Sequence, residues 1–484
     1  MSLSNTVKSI QDIMRQDSGV DGDAQRISQL CWMLFLKIFD DKEKESELED
    51  DNYLSPIPEN LRWRNWAADE EGATGDELLN LVNNELFPKL KELEIGPDSD
   101  PKGLIVRDVF MDSYNYMKSG TLIRQVSNII NQIDFNDLGE RHLFNEIYEK
   151  ILVDLQSAGN AGEYYTPRAV TQFMADMVNP QLGETVLDPA CGTGGFLVCT
   201  VENIKKELKN PEDWKILCNT IRGIEKKPLP HMLCMTNMIL HDVEVPQVLH
   251  DNTLTLRPLR DYTEKDRVDC IITNPPFGGV EEPGVENNFP AVYRTRETAD
   301  LFLVLIMQLL KEGGRAALVL PDGFLFGEGV KTKIKERLFE HCNLHTIVRL
   351  PGSVFAPYTS IKTNLLFFTK GGPTEEVWYY EHPMLKGIKA YSKTKPMRIS
   401  EFELEKKWWN NREENEYAWK VSAEDIKENN YNLDLKNPNS PEEQILDPQE
   451  VLKTYIAIQI QIDNKRDSLK KELETSIRAT INEH

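Results

Sequence analysis

The chain has 484 residues, 40% of them hydrophobic, and a formal net charge of −23. That length exceeds one ordinary core and implies two or three domains, and no apolar run is long enough for a membrane-spanning helix. So acidic a surface is poorly suited to neutralising phosphates alone, which disfavours a free nucleic-acid-binding protein and favours a subunit that borrows positive surface from a partner.

The opening residues, Met1 to Asn5, show no basic segment followed by an apolar one, so no signal peptide is read there. The seven cysteines (31, 191, 199, 218, 234, 270 and 342) are odd in number and form no C-x-x-C pair. Reduced thiols in a cytoplasmic protein are the expectation. The nearest approach to a metal pattern, His231-x-x-Cys234, has no companion pair and is read as two core-facing residues of one helix; no metal is expected.

An all-α N-terminal domain is expected over 1–155. Arg26–Phe39 is almost wholly apolar and should lie in its core. Asp40–Gly75, acidic and dotted with Pro and Gly, reads as a surface loop system. Further helices are expected at Leu78–Leu93, Gly103–Tyr116, Leu122–Ile133 and Arg141–Ser157.

From 156 to 372 short apolar strands alternate with amphipathic helices. Thr166-Pro167 reads as an N-cap with proline at the first helical position, opening a helix to about Met177. Strands are expected at Thr185–Leu187, Ile221–Ile224, Gln247–His250, Val268–Thr273, Ala316–Leu320, Thr346–Leu350 and Asn364–Thr369. A helix at Ala299–Leu310 should end at Gly313-Gly314. The alternation argues for an α/β domain with a mostly parallel, doubly wound sheet, which binds ligands beyond the carboxyl ends of its strands. Residues 373–445 read as a polar C-terminal extension. Within 446–484, Asp447-Pro448 caps an amphipathic tail helix of about thirty residues. Leu452, Tyr455, Ile462, Leu469, Leu473 and Ile477 should form its apolar side, packed on its own chain or offered to a partner.

Two motifs 86 positions apart carry the chemistry: Asp188-Pro-Ala-Cys-Gly-Thr-Gly-Gly195 and Asn274-Pro-Pro-Phe277, each at a strand exit. Gly192, Gly194 and Gly195 permit a sharp turn and close ligand approach. The dinucleotide pattern G-x-G-x-x-G fails, because Leu197 stands where the third glycine would be. Asp188 would repel a pyrophosphate but suits S-adenosylmethionine, which carries an ammonium and a sulfonium and no phosphate. Glu225, ending the next strand, can accept both ribose hydroxyls; the plain alternative is a solvated glutamate ahead of Lys226-Lys227. Asp251 follows the third strand and could hold the cofactor's adenine amine, face a target base, or serve as a polar turn residue.

An exocyclic amine on adenine is a poor nucleophile because its lone pair is delocalised into the ring. Two acceptors on its hydrogens favour a pyramidal, more nucleophilic nitrogen. Asn274 Oδ1 and the Pro275 carbonyl can be those acceptors, Pro275-Pro276 stiffens the backbone that aims them, and Phe277 offers a face for a flipped base. A proline turn that merely closes a strand is the alternative.

In these motifs the chain resembles the N6-adenine DNA methyltransferases, in particular the modification subunit of prokaryotic type I restriction–modification systems. Gly162-Glu-Tyr-Tyr-Thr-Pro-Arg168, Leu320-Pro-Asp-Gly323 and Lys362-Thr-Asn364 take part in the resemblance, as do the helical front end and tail. It implies a Rossmann-like S-adenosylmethionine-dependent methyltransferase sheet. It also implies cofactor contact by Glu163, Tyr164, Tyr165, Thr166, Pro167 and Arg168, by Thr193, Gly194 and Gly195, and by Glu225. Many relatives have tyrosine where this chain has Phe277, so stacking survives but a hydroxyl role does not. The expected partners are duplex DNA, one specificity subunit flanked by two modification subunits, and an ATP-driven restriction subunit. This chain has no G-x-x-x-x-G-K-[ST] loop, so ATP hydrolysis belongs elsewhere. A protein-glutamine methyltransferase and a catalytically idle scaffold are the competing readings.

Overall fold

A computed structural model describes residues 3–94, 100–136, 165–356, 359, 361–385, 387–392, 395–440 and 448–482. The helix expected at Arg141–Ser157 lies outside these residues, as do Glu163 and Tyr164. The chain forms two units, Met1–Asn437 and Pro438–His484.

Among the described residues of the first unit, nine strands form one sheet: β1 (Val186–Asp188), β2 (Ile221–Glu225), β3 (Gln247–His250), β4 (Val268–Thr273), β5 (Leu310–Pro321), β6 (Cys342–Arg349), β7 (Thr363–Lys370), β8 (Glu376–Glu381) and β9 (Ala418–Ser422). The sheet order is β3-β2-β1-β4-β5-β7-β6-β8-β9. The run β3-β2-β1-β4-β5 is parallel, and β7 is antiparallel to both β5 and β6. β1 and β4 are neighbours, Leu187 pairing with Ile271, and the order of the connections reverses between them. Their carboxyl ends therefore bound the crevice in which such sheets bind ligands.

The central strands are covered on both faces and so are continuously apolar; Ala316–Leu320 is buried throughout. The Thr298–Leu309 helix, apolar nearly all round, is buried almost along its whole length, as such a composition requires. Its end differs from the expectation. The helix stops at Leu309 and Gly313-Gly314 lie within β5, where Gly313 has φ +78° and the β4 pairing shifts register. The glycines allow a strand irregularity rather than a helix cap.

A second core holds the N-terminal helices, including Asp23–Glu49 and Gly120–Ile130, around Trp32, Phe35, Trp63 and Phe110. The Pro228–Leu240 helix belongs to both cores: Cys234 and Met238 face the sheet cluster, while Met232, Leu233, Met235 and Ile239 join the N-terminal one. The surface loop expected from Asp40 is corrected. The long helix continues to Glu49, and Asp40, Asp41 and Glu43 are buried, Asp40 pairing with Arg64 (2.8 Å) and Asp41 with Lys37. Ion pairing accompanies the burial of Asp40 and Asp41, while Glu43 accepts from the Tyr53 hydroxyl at 3.0 Å.

The polar extension after 372 holds two further strands of the same sheet. Trp419 of β9 stacks on Tyr379 of β8 at 5.2 Å, and both rings are buried. The aromatic spots in that stretch are its core.

The second unit contains a helix, Pro448–Asn482. Leu452, Tyr455, Ile462 and Leu469 are exposed, and so are Ile456, Ile458 and Ile460. Successive second residues on a helix differ by about 200°, so apolar groups wrap around its first half rather than keeping to one side. The side chains of Leu473 and Ile477 lie outside the described set.

Candidate active site

The glycine turn leaves β1 at Asp188 and opens the Gly195–Lys205 helix. Gly192 and Gly194 have φ of +53° and +81°, conformations that a Cβ disfavours. A Cβ on Gly194 would lie 2.8 Å from Cys234 Sγ, whereas one on Gly192 would meet no atom within 4 Å. One glycine therefore packs against the protein, and the other leaves open space beside backbone. The turn is tied on both sides: Cys191 N–H donates to Ile224 O (3.0 Å), Asn237 Nδ2 to Thr193 O (3.1 Å) and Thr253 Oγ1 to Pro189 O (2.5 Å). Asn237 and Thr253 carry no sequence signal, and Cys234 reads from the sequence only as a core-facing residue of a helix.

The three acids sit at successive strand ends. Glu225 accepts from Gly192 N (2.8 Å) and Lys227 N (2.7 Å), so it braces the turn. Asp251 N–H donates to Glu225 O at 3.0 Å, while the Asp251 side chain is exposed and accepts from Asn252 N at 2.6 Å. Asp188 is buried and accepts from Ala190 N at 3.1 Å. Burial pushes its carboxyl up to about 7; the Thr273 hydroxyl and Ala190 N–H offset part of that rise, and the Glu225 charge adds to it.

Asn274 leaves β4 at the other side of the crevice. Its Nδ2 donates to Thr166 Oγ1 at 2.9 Å. Its Oδ1 is buried and has no hydrogen-bond partner among the described residues. Pro275 is buried and Pro276 exposed. The Phe277 ring is buried and meets Phe355 edge-on at 5.9 Å. Phe355, from the segment after β6, was not singled out by sequence, where it reads as one more apolar residue.

The segment before the first helix of this domain differs from the expectation. The helix is Arg168–Val178, its N-cap position is Pro167, and no side chain caps it. Thr166 is not the N-cap; Pro167 O takes the first N–H groups, those of Val170 (2.8 Å) and Thr171 (3.1 Å), and the Thr166 hydroxyl meets Asn274. Arg168 is exposed at the helix start, and Tyr165 packs against the N-terminal helical core. Leu320-Pro-Asp-Gly323 and Lys362-Thr-Asn364 come together where β5 ends and β7 begins, with Asn364 Nδ2 donating to Asp322 Oδ1 at 2.7 Å.

His231 is buried and stacks on His250 at 4.8 Å; burial pushes it down to about 4. Among the described residues no group of three or more His, Cys, Asp or Glu is placed to hold a metal ion, and no helix is long and apolar enough to cross a membrane.

A sheet of this order, with a glycine turn after β1, an acid ending β2 and Asn-Pro-Pro-Phe after β4, has the Rossmann-like architecture of a methyltransferase. Residues 139–446 match the N-6 DNA methylase family, and residues 3–130 match the HsdM N-terminal domain. The chain is 60% identical over 479 residues to the type I restriction enzyme EcoEI methylase subunit of Escherichia coli, covering 97% of each. It is 29% identical over 380 residues to the EcoKI methylase subunit of Escherichia coli K12, covering 73% of this chain and 66% of that one. A crystal structure of a modification subunit from Vibrio vulnificus YJ016 superposes with a TM-score of 0.83 at 45% identity, covering 91% of this chain and 97% of that one. The chain belongs to the N-6 DNA methylase family, among the modification subunits of type I restriction–modification systems, and is an adenine-specific DNA methyltransferase.

Proposed function

We propose that this chain moves a methyl group from S-adenosylmethionine to N6 of an adenine flipped out of duplex DNA. The observation that carries this reading is the buried, unpartnered Asn274 Oδ1, one strand away from the glycine turn. The residues present fit the donor: open space lies beside Gly192, Glu225 braces that backbone with a carboxylate able to accept ribose hydroxyls, and Asp188 offers a buried acid to an ammonium. Arg168 and the start of its helix suit a carboxylate. When bound, S-adenosylmethionine supplies a methyl already activated as a sulfonium, so no histidine base or serine nucleophile is needed. Asn274 Oδ1 and the Pro275 carbonyl accept the two amine hydrogens and localise the nitrogen lone pair toward the methyl. As the N6–methyl bond forms the methyl–sulfur bond breaks, leaving a neutral thioether, and the now cationic N6 gives up one proton to water. Calorimetric titration with S-adenosylmethionine, followed by methyl-transfer assays on duplex DNA, tests the reading.

Asp188 gives this site a pH dependence. With a carboxyl near 7 in the free protein, a cationic donor favours the ionised form and must deprotonate the acid when it binds at low pH. Affinity for S-adenosylmethionine should rise with pH, by up to about eightfold between pH 6 and 7.5 if only the carboxylate binds. Asp188→Asn should flatten that dependence, and a flat wild-type profile would contradict the placement of the ammonium.

The net charge of −23 supports a division of labour in which a separate specificity subunit reads the DNA. Two modification subunits would flank one specificity subunit in a cytoplasmic prokaryotic complex, and a restriction subunit would add ATP-driven cleavage. The exposed Leu452, Tyr455, Ile456, Ile458, Ile460 and Ile462 suit the Pro448–Asn482 helix to packing against helices of the specificity subunit. Truncation after Asp447 should spare folding and cofactor binding but weaken assembly and DNA methylation. Co-purification with the specificity subunit decides this: normal assembly defeats it, and an aggregating truncation shows that the helix belongs to its own chain's core.

A further inference from the structure

The Asn274 side chain has two ends of similar shape and opposite chemistry. Only Oδ1 can accept from the target amine; a half-turn of the amide would set Nδ2 against the amine's own N–H groups. Something must therefore fix the amide, and its hydrogen-bond partner among the described residues is Thr166, 108 positions earlier in the chain, whose Oγ1 accepts from Nδ2 at 2.9 Å. Thr166 stands free of the task its sequence position suggests, because the helix after it has Pro167 at its N-cap and no side-chain cap. Proline at 167 also restricts the backbone of Thr166 to extended conformations, which limits where its hydroxyl can reach.

We propose that Thr166 is a positioning residue that sets the Asn274 amide with Oδ1 toward the target amine, and that it joins the cofactor segment to the base pocket. A hydroxyl has one proton to give. If that proton goes to the carboxylate of a cofactor held beside Thr166 and Arg168, the oxygen is left as an acceptor for Nδ2, and Oδ1 is presented to the adenine. This second part rests on the cofactor placement proposed above. By linkage, whatever the cofactor does for base capture, the captured base does equally for cofactor affinity.

The test compares Thr166→Val, which keeps the shape and removes the hydroxyl, with Thr166→Ser, which keeps the hydroxyl, each assembled with the specificity subunit. At saturating S-adenosylmethionine, Thr166→Val should lower kcat by about 10- to 100-fold with the KM for DNA nearly unchanged, and Thr166→Ser should restore most of it. A second readout is the fluorescence of 2-aminopurine at the target position with and without sinefungin, an unreactive analogue of the methyl donor. Sinefungin should strengthen base capture by the wild-type protein and the Ser variant and not by the Val variant. Wild-type kcat in Thr166→Val overturns the proposal. A loss that saturating cofactor fully repairs also overturns it, and reduces Thr166 to a cofactor ligand. If no sinefungin effect exists even in the wild type while the kcat pattern holds, the positioning role stands and the cofactor link falls. Thr166→Ala gives the same comparison if the valine variant does not fold.

Discussion

Asn274→Ala is expected to lower methyl transfer by at least about 10²- to 10³-fold while S-adenosylmethionine affinity changes little. The scale is that of removing one preorganised electrostatic group from an enzyme site. The substitution deletes the buried acceptor Oδ1 and leaves the turn around Gly192 and Gly194 untouched, because no bond links Asn274 to Glu225, Asn237 or Thr253 among the described residues. Initial rates at saturating donor and DNA, with calorimetric titration of the donor, separate the two effects. Turnover at the wild-type rate would remove the amide from the chemistry.

Gly194→Val and Glu225→Ala should both impair cofactor binding, for different physical reasons. Valine at φ +81° takes up a left-handed conformation, and its Cβ would lie 2.8 Å from Cys234 Sγ. Cys234 sits on the Pro228–Leu240 helix, which is held between the two hydrophobic cores and cannot readily retreat. Strain and overpacking of this kind cost about 2 to 4 kcal/mol, or a factor of about 30 to 1000 if the turn distorts to relieve it. Glu225→Ala removes the acceptor of Gly192 N and Lys227 N together with the proposed ribose acceptor. Hydrogen bonds to a charged group contribute about 1.5 to 3 kcal/mol, equivalent to about 10- to 150-fold in affinity. Titration with S-adenosylmethionine measures both variants, and unchanged affinity in both would place the cofactor elsewhere.

The parts of this molecule that were legible in the sequence are those in which one local pattern decides the structure. Most of the seven expected strands are legible as short apolar runs bounded by polar residues, and the strand-end position of both motifs follows from them. Glu376–Glu381 and Ala418–Ser422 were missed because charges flank and interrupt them; only the stacking of Tyr379 on Trp419 shows that they are core. The burial of Asp40, Asp41 and Glu43 goes against the expectation for the converse reason: Asp40 meets Arg64 and Glu43 meets the Tyr53 hydroxyl only once the chain is folded, although Lys37, one turn before Asp41, was a local sign of pairing. In the site, glycine positions and strand-end acids carry their own local signal. Cys234 beneath Gly194, Phe355 against Phe277 and Thr166 on Asn274 do not, because each is a contact between distant segments and the residue types are ordinary. Thr166 shows the hazard most clearly: Thr-Pro ahead of a helix is a sound capping signal, and the hydroxyl is used elsewhere.

The most direct measurement is methyl transfer from radiolabelled S-adenosylmethionine by the chain assembled with its specificity subunit, offered duplex DNA and, separately, protein substrates. Label should appear in the DNA, recovered on digestion as N6-methyladenine, at a rate lost in Asn274→Ala. Label in protein glutamine, or donor binding with no transfer to any DNA, would contradict it.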